Sequence, residues 1–320
     1  MRIPGLEDVI AARGHLADLA VRTPLLPFAL DDGREVVLKP EILQPVGSFK
    51  IRCAGSAVMS RIARGNCSAT FSTASAGNFA QGLAWACRQS GRGVTAYVPD
   101  TAATSKREAL IRFGATLVDL PFADWWKMLV EDNDDPAFIH PVSDPDGLAG
   151  NATIGLEIAE DLPDAGTVLV PLGGGGLAVG VAAGLRAAGS KARVIICETG
   201  AGAPLTASLQ AGHPVDVPFD SGTFITGMGG PSLLPSMWPA LKEMISGTEV
   251  VPVAKVAEAV RLLAERGHMI AEGAGAASLA AAIQGSFDGP VVCVLSGGHL
   301  DTNHLIEILQ GGVPRTKPPV

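Results

Sequence analysis

Between Thr167 and Gly180 the sequence reads TVLVPLGGGGLAVG: a short apolar β-type run breaks into four consecutive glycines, Gly173, Gly174, Gly175 and Gly176, and passes directly into a small-residue helix pattern. Glycine takes backbone angles that residues with a Cβ avoid, so successive N–H groups can converge on one point ahead of a helix N-terminus, where the helix dipole also favours negative charge. The stretch reads as an anion cradle, and phosphate is its natural guest. A tight strand-to-helix turn of purely structural use is the competing explanation, at a high cost in unfolded-chain entropy.

A nucleotide is one candidate for that guest. Gly173, Gly175 and Ala178 fit the G-x-G-x-x-G/A spacing, and Glu198 closes the next apolar run, RVIICE, where a dinucleotide site keeps its ribose-binding acid. Leu177 and Ala178 stand where a Walker sequence has Lys and Ser/Thr, which argues against a P-loop ATPase.

Composition narrows the partner. The 320 residues are 47% hydrophobic, enough for one large core and a smaller second one. A formal charge of −8 without a clustered Lys/Arg run argues against nucleic acid or an anionic membrane surface and for a small molecule. No apolar run of membrane-spanning length or N-terminal leader pattern is found, so the chain is expected to be soluble. The five cysteines, Cys53, Cys67, Cys87, Cys197 and Cys293, form no C-x-x-C pair and read as buried thiols in a reducing cytoplasm. The six histidines have no metal-ligand spacing, and Trp125 and Trp126 read as packing residues.

Periodicity predicts an α/β chain. Helix Leu6–Ala20 leads to a strand over Glu35–Lys39; Pro45 and Gly47 then make a bend, Ser48 caps a helix, and Lys50 falls in its first turn. A cation there opposes the helix dipole and gives up its proton more readily, which makes Lys50 a candidate for Schiff-base chemistry against the alternative of an ordinary surface lysine. Strands SATFSTA, VTAYVP, ATLVDL and FIHP alternate with helices and imply a small parallel sheet. Between the first of these strands and its helix, the loop containing Ser75, Ala76, Gly77 and Asn78 lies at a strand's carboxyl edge, where open α/β sheets bind ligands; an ordinary Asn cap is the alternative. Strands RVIICE, EVVPV and VVCVLSGG and their helices follow. The stretch from Gly212 to Ser236 has no clear period, and the tail VPRTKPPV reads as disordered.

Lys50 within GSFKIR, Asn78 within SAGN, the tetraglycine loop, Glu272 within EGAGA and Ser296 within LSGG occur in an order that resembles the fold type II pyridoxal-phosphate enzymes, in the branch of threonine/serine dehydratases and serine racemase. The resemblance runs from about Thr23 to Asn303 and implies a tryptophan synthase β-like fold: two domains with parallel-rich twisted sheets flanked by helices. Residues 1–65 and 141–320 would form a large cofactor-binding domain and 66–140 a small one, with the active site between them. It implies that Lys50 carries pyridoxal 5′-phosphate through a Schiff base and then acts as base on the Cα proton. Phe49 would pack on the ring, Asn78 bond its hydroxyl, Gly173 to Gly176 bind the phosphate, and Ser296 meet the pyridine nitrogen, with Glu272 also in the cofactor site. The backbone from Ser75 through Ala76, Gly77 and Asn78 to Phe79 would hold the substrate carboxylate. A neutral hydroxyl makes the ring a weaker electron sink and favours loss of a β-substituent; the aminoacrylate formed would hydrolyse to a 2-oxo acid and ammonia.

Three departures from the family pattern matter. Ala76 replaces the second serine that serves a racemase as base on the opposite face, which favours dehydration. Phe79 replaces a histidine, and TGMGGPSL from Thr226 to Leu233 replaces the expected loop over the cofactor, so a bulkier β-hydroxy amino acid is conceivable. Pro204 replaces an acid of the family's divalent-cation site, leaving Glu198 and a carbonyl near Gly202, so a tight Mg²⁺ or Ca²⁺ site is not expected and a weak one at Glu198 is the alternative. His299, just after the Ser296 loop, is expected to sit behind the site or outside it. No C-terminal regulatory domain is expected, and a homodimer or higher homo-oligomer is. The leading expectation is an ammonia-lyase for a β-hydroxy amino acid. A racemase or another β-substituent lyase, an NAD-binding oxidoreductase, and a catalytically dead ligand-binding module with unmodified Lys50 are the alternatives.

Overall fold

Runs of β-branched residues bounded by glycine or proline form the strands, and the small-residue segments between them form helices that approach the sheets closely. The computed structural model describes residues 2–65, 68–102, 104–131 and 133–316. Strands β1 (Leu26–Ala29) and β2 (Glu35–Pro40) pair antiparallel, while β3 (Thr70–Ala74), β4 (Gly93–Pro99) and β5 (Thr116–Leu120) form a separate three-stranded parallel sheet. Strands β6 (Thr167–Pro171), β7 (Arg193–Thr199), β8 (Gly247–Val251) and β9 (Val291–Leu295) extend the first pair into a six-stranded sheet of order β1-β2-β9-β6-β7-β8, parallel from β2 onward. The helices are α1 (Leu6–Leu16), α2 (Lys50–Ala63), α3 (Asn78–Gln89), α4 (Thr104–Arg112), α5 (Phe122–Val130), α6 (Pro145–Asp161), α7 (Gly176–Ala187), α8 (Pro204–Ala211), α9 (Trp238–Met244), α10 (Val253–Glu265), α11 (Gly273–Gln284) and α12 (Thr302–Leu309).

The central strands β6 and β9 are buried at every residue, as a parallel sheet covered on both faces requires. Their alternate side chains divide between two cores. Val168, Val170, Val292 and Val294 join α2, α6 and α7, whereas Leu169, Cys293 and Leu295 join α10 and α11. The first core continues through α3 into the three-stranded sheet. Helices α6 and α7 approach so closely that a Cβ at Gly184 would stand 1.9 Å from the Ala152 carbonyl oxygen, which reserves that position for glycine.

Several expectations are corrected. FIHP is not a strand: Phe138 makes an isolated bridge to Ser72, and Pro141, which follows His140, brings no N–H to extend a ladder. Strand β1 and helix α9 were not visible in the sequence pattern; each begins beside proline and is only 4 or 7 residues long. Helix α1 ends at Leu16, short of Ala20. Ser48 does not cap α2 through its side chain: its hydroxyl is buried with no partner among the described residues, Phe49 is the N-cap, and the Ser48 backbone bridges Gly297. The tail is ordered as far as Thr316, where Arg315 pairs with Asp220 and the Thr316 N–H donates to Gly222 O at 3.0 Å; residues 317–320 lie outside the described residues. Cys53, Cys87, Cys197 and Cys293 are buried free thiols, and Cys67 lies outside the described residues. Among the described residues no helix is long and apolar enough to cross a membrane.

Candidate active site

At the carboxyl edge of β6 and β9, where open α/β sheets bind ligands, lies a cavity of about 50 Å³. Its lining includes Lys50, Val142, Gly174, Gly227, Ala274 and Ser296. Helix α2 supplies Lys50 as its first residue. The Nζ lies 3.4 Å from Pro141 O, 4.8 Å from the centre of the Phe49 ring and 5.6 Å from that of Phe79. Burial lowers the lysine pKa below its ordinary 10.5, against weaker opposing pulls from Cys53 and Glu272, so a neutral, nucleophilic amine is favoured.

The N–H of Phe49 donates to Ser296 O at 3.0 Å, which fastens the start of α2 to the end of β9 and keeps Lys50 and Ser296 in one cavity. All four glycines line that cavity as well, with Gly175 at φ +97 as the N-cap of α7. Among the described residues, no hydrogen bond occupies the N–H groups of Gly174, Gly175 or Gly176, as expected at an open helix N-terminus. A Cβ at Gly173 would stand 2.6 Å from Gly227 O, and one at Gly176 the same 2.6 Å from Val142 O. Side chains are therefore excluded from the loop by its neighbours.

Glu272 and the loop after β3 are not part of the cavity lining; the loop comes near it through Asn78, whose Nδ2 lies 3.2 Å from where a Cβ at Gly297 would stand, and through the Phe79 ring. Ser75 Oγ accepts from the Gly77 N–H at 3.3 Å and shapes the turn, while Ala76 and Gly77 are half-buried. Asn78 opens α3 rather than capping it, and its Nδ2 donates to Glu272 Oε1 at 2.9 Å. Burial pushes the Glu272 pKa up to about 7, although the Asn78 bond pulls the other way. Phe79 is buried in the core, its ring toward the lysine amine. The His299 ring packs beneath Gly47 outside the cavity lining, and burial lowers its pKa.

Glu198 is not brought to the glycine loop as a ribose ligand. Its carboxylate accepts from the N–H groups of Leu205 at 2.9 Å and Thr206 at 2.8 Å and from Thr206 Oγ1 at 2.6 Å, so both oxygens are used in holding the N-terminus of α8. Gly202 turns back onto Thr199. Pro204 adds no oxygen donor, and among the described residues no three His, Cys, Asp or Glu side chains converge. These donors do not fit a divalent-cation site.

One cluster was missed in the sequence. Two residues beyond Lys50, Arg52 donates from Nε to Glu41 at 2.7 Å and from its terminal nitrogens to both oxygens of Glu157 at 2.6 and 2.8 Å. Lys39 joins through Glu157 and Thr23 O, at 2.5 and 2.7 Å. All four side chains are buried. Burial alone would raise the Glu41 pKa, but Arg52 and Lys39 outweigh it and hold the carboxyl below its ordinary 4.5. The signal available was four charges set in apolar segments, EVVLKPEI, KIRCAG and IGLEIAE.

Known proteins resemble this chain in sequence and fold. The chain is 34% identical over 292 residues to an L-threonine ammonia-lyase of Geobacter sulfurreducens, covering 88% of this chain and 71% of that one. Its fold superposes on a T.th. threonine deaminase with a TM-score of 0.84 and 32% identity, covering 93% of this chain and 99% of the other. Maize serine racemase superposes with a TM-score of 0.84 at 25% identity, covering 97% and 98%. The family described as pyridoxal-phosphate dependent enzyme matches residues 16–297. A lysine amine and a glycine anion cradle that open into one cavity are what that cofactor's aldehyde and phosphate call for, and the chain belongs to the pyridoxal-phosphate dependent enzymes.

Proposed function

We propose that this enzyme removes water from a β-hydroxy amino acid of the threonine or serine class and releases a 2-oxo acid and ammonia. The observation that carries the reading is that Lys50 is the single amine, imidazole, thiol or carboxyl among the described residues lining the cavity, while position 76, where the resemblance puts a racemase's serine base, is alanine. One base suffices for elimination, whereas inversion at Cα calls for an acid or base on each face. The names of the ammonia-lyase and deaminase relatives support the same substrate class.

Gly173 to Gly176 suit the cofactor phosphate because the N–H groups of Gly174, Gly175 and Gly176 are open and the close neighbours of the loop admit only glycine there. Lys50 would hold the cofactor and Phe49 and Ser296 flank its ring; Asn78 and Glu272 would bound it on the side of the smaller sheet. When bound, pyridoxal phosphate supplies an electron sink for charge at the substrate α-carbon. Once the substrate amine displaces it from the cofactor, Lys50 Nζ would take the Cα proton; the Cβ–O bond would break with the hydroxyl taking up that proton and leaving as water, and the enamine released would tautomerise to the imine and add water to give the 2-oxo acid and ammonia. The Ser75–Phe79 backbone would receive the substrate carboxylate, and buried Phe79 sets one apolar wall for the β-substituent. We also take residues 66–140 as a small domain, supported by the separate sheet of β3 to β5, with 1–65 and 141–320 as the large one. A homo-oligomer in the cytoplasm is part of the same reading; four buried free thiols support a reducing compartment.

The test is to titrate L- and D-threonine, serine and phenyl-substituted analogues into the holoenzyme while following the visible spectrum, ammonia and 2-oxo acid. Ammonia and 2-oxo acid formed in equal amounts from one enantiomer support the reading. Conversion of one enantiomer into the other without ammonia would replace it with racemisation.

A further inference from the structure

His140 lies in the segment that joins the smaller sheet to α6, and its ring is fully engaged. Nδ1 accepts from the N–H groups of Val142 at 3.1 Å and Ser143 at 2.9 Å, and Ser143 Oγ lies 3.0 Å from the same nitrogen. An acceptor at Nδ1 leaves the proton on Nε2, which donates to Leu129 O at 3.1 Å in the last turn of α5. The neutral ring therefore does what an Asn or Asp side chain does in an Asx turn, capping N–H groups two and three residues on, with a second bond to a neighbouring helix.

The turn it shapes touches the site twice. Pro141 O stands 3.4 Å from Lys50 Nζ, and the Val142 side chain lines the cavity against Gly174, 2.6 Å from where a Cβ there would stand. The Val142 carbonyl meets Gly176 in the same way.

We propose that His140 is a positioning residue for the reaction: its neutral imidazole folds the Pro141–Ser143 turn that presents one carbonyl to the lysine amine and closes one wall of the glycine cradle. The inference rests on this cavity being the cofactor site. Protonation at Nδ1 would turn the acceptor into a donor aimed at two N–H groups, and the turn would open. The charged groups facing the ring are Asp144, paired with Arg61 at 2.6 Å, and Lys50. Burial lowers the histidine pKa below 6.5, the Leu129 bond and Asp144 oppose it, and Lys50 adds to it. The turn should thus hold at neutral pH and open in acid.

The experiment compares wild type, His140→Asn and His140→Ala. Asparagine can keep the acceptor for both N–H groups but has no titrating proton. Two readouts are taken from about pH 8 down to about pH 5: the affinity of the cofactor-free protein for pyridoxal phosphate, and hydrogen exchange at Val142 and Ser143, corrected for intrinsic rate. At the upper pH, wild type and His140→Asn should bind within about threefold of each other, with both amides protected, while His140→Ala binds about tenfold more weakly. On acidification wild type should lose affinity and amide protection together, and His140→Asn should lose much less of either. Wild-type affinity in His140→Ala, or an acid loss in His140→Asn equal to that of wild type, would overturn the proposal. If His140→Ala does not fold, the acid comparison decides alone. Failure of wild type to bind the cofactor at the upper pH would count against the site itself, while exchange at the two amides would still test the turn.

Discussion

Asn78 Nδ2 and Glu272 Oε1 meet at 2.9 Å across the boundary between the two sheets, tying the start of α3 to the start of α11 beside the cavity. Neither residue reaches its partner through local sequence, since 194 positions separate them. The bond therefore couples the position of the loop after β3 to the ionisation of one buried carboxyl.

That coupling has a sign. Glu272 titrates at about 7 in the fold and at its ordinary 4.5 when unfolded, so the folded chain binds the extra proton over that interval. Its contribution to stability is complete below about pH 4.5 and is lost as pH rises through about 7, by on the order of 3 kcal/mol. Glu272→Gln keeps an acceptor for Asn78 and removes the titration. Urea unfolding of the cofactor-free proteins across that span should show a declining stability in wild type and a flatter one in the variant.

Lys50→Ala should reduce ammonia release by about 10³-fold or more, because proton removal has no other ionisable group in the cavity lining. Borohydride treatment followed by peptide mass analysis should label Lys50 in wild type only. In wild type the rate should rise with pH through a lysine pKa below 10.5, since burial favours the neutral amine.

Alanine at Gly176 and at Gly174 should differ. Both new methyls would stand 2.6 Å from Val142, but at Gly176 the obstacle is a carbonyl fixed in the main chain and at Gly174 the methyl groups of a side chain. Gly176→Ala should lower stability by about 1–3 kcal/mol and weaken cofactor binding more than Gly174→Ala does. Thermal melts and absorbance titrations of both variants check the order.

Arg52→Met should destabilise the fold by about 3–5 kcal/mol, because Glu41 and Glu157 would stay buried without their shared cation. Arg52→Lys should recover only part of that loss, since one ammonium cannot reproduce the forked contacts to two carboxylates. Urea unfolding curves measure both.

How far the sequence foretold this depends on the range of each signal. The positions of Lys50, the tetraglycine loop, Asn78 and Ser296 at the ends of elements were legible because glycine, proline or polar residues mark each strand end or helix start there. The partners of Arg52 lie 11 and 105 residues away, and no periodicity carries that information. His140 was dismissed for lacking metal-ligand spacing, a test blind to an imidazole that caps its own turn. Ser48 looked like a helix cap because hydroxyls favour that place, but its backbone is drawn into a bridge with Gly297 and α2 starts one residue late. Glu198 sits at the spacing of a ribose ligand, yet α8 uses its carboxylate.

The burial of the Arg52 cluster decides how α2 responds to salt. Exposed pairs at its far end and on neighbouring helices, Arg64 with Asp146 and Arg22 with Glu160, share their surroundings with mobile ions and are screened as ionic strength rises. Glu41, Arg52 and Glu157 exclude those ions along with the water that carries them. Concentrated salt thus loosens the periphery while the helix that begins with Lys50 keeps its electrostatic footing, so the Lys50 amine is referenced to a charge set that the solvent cannot read.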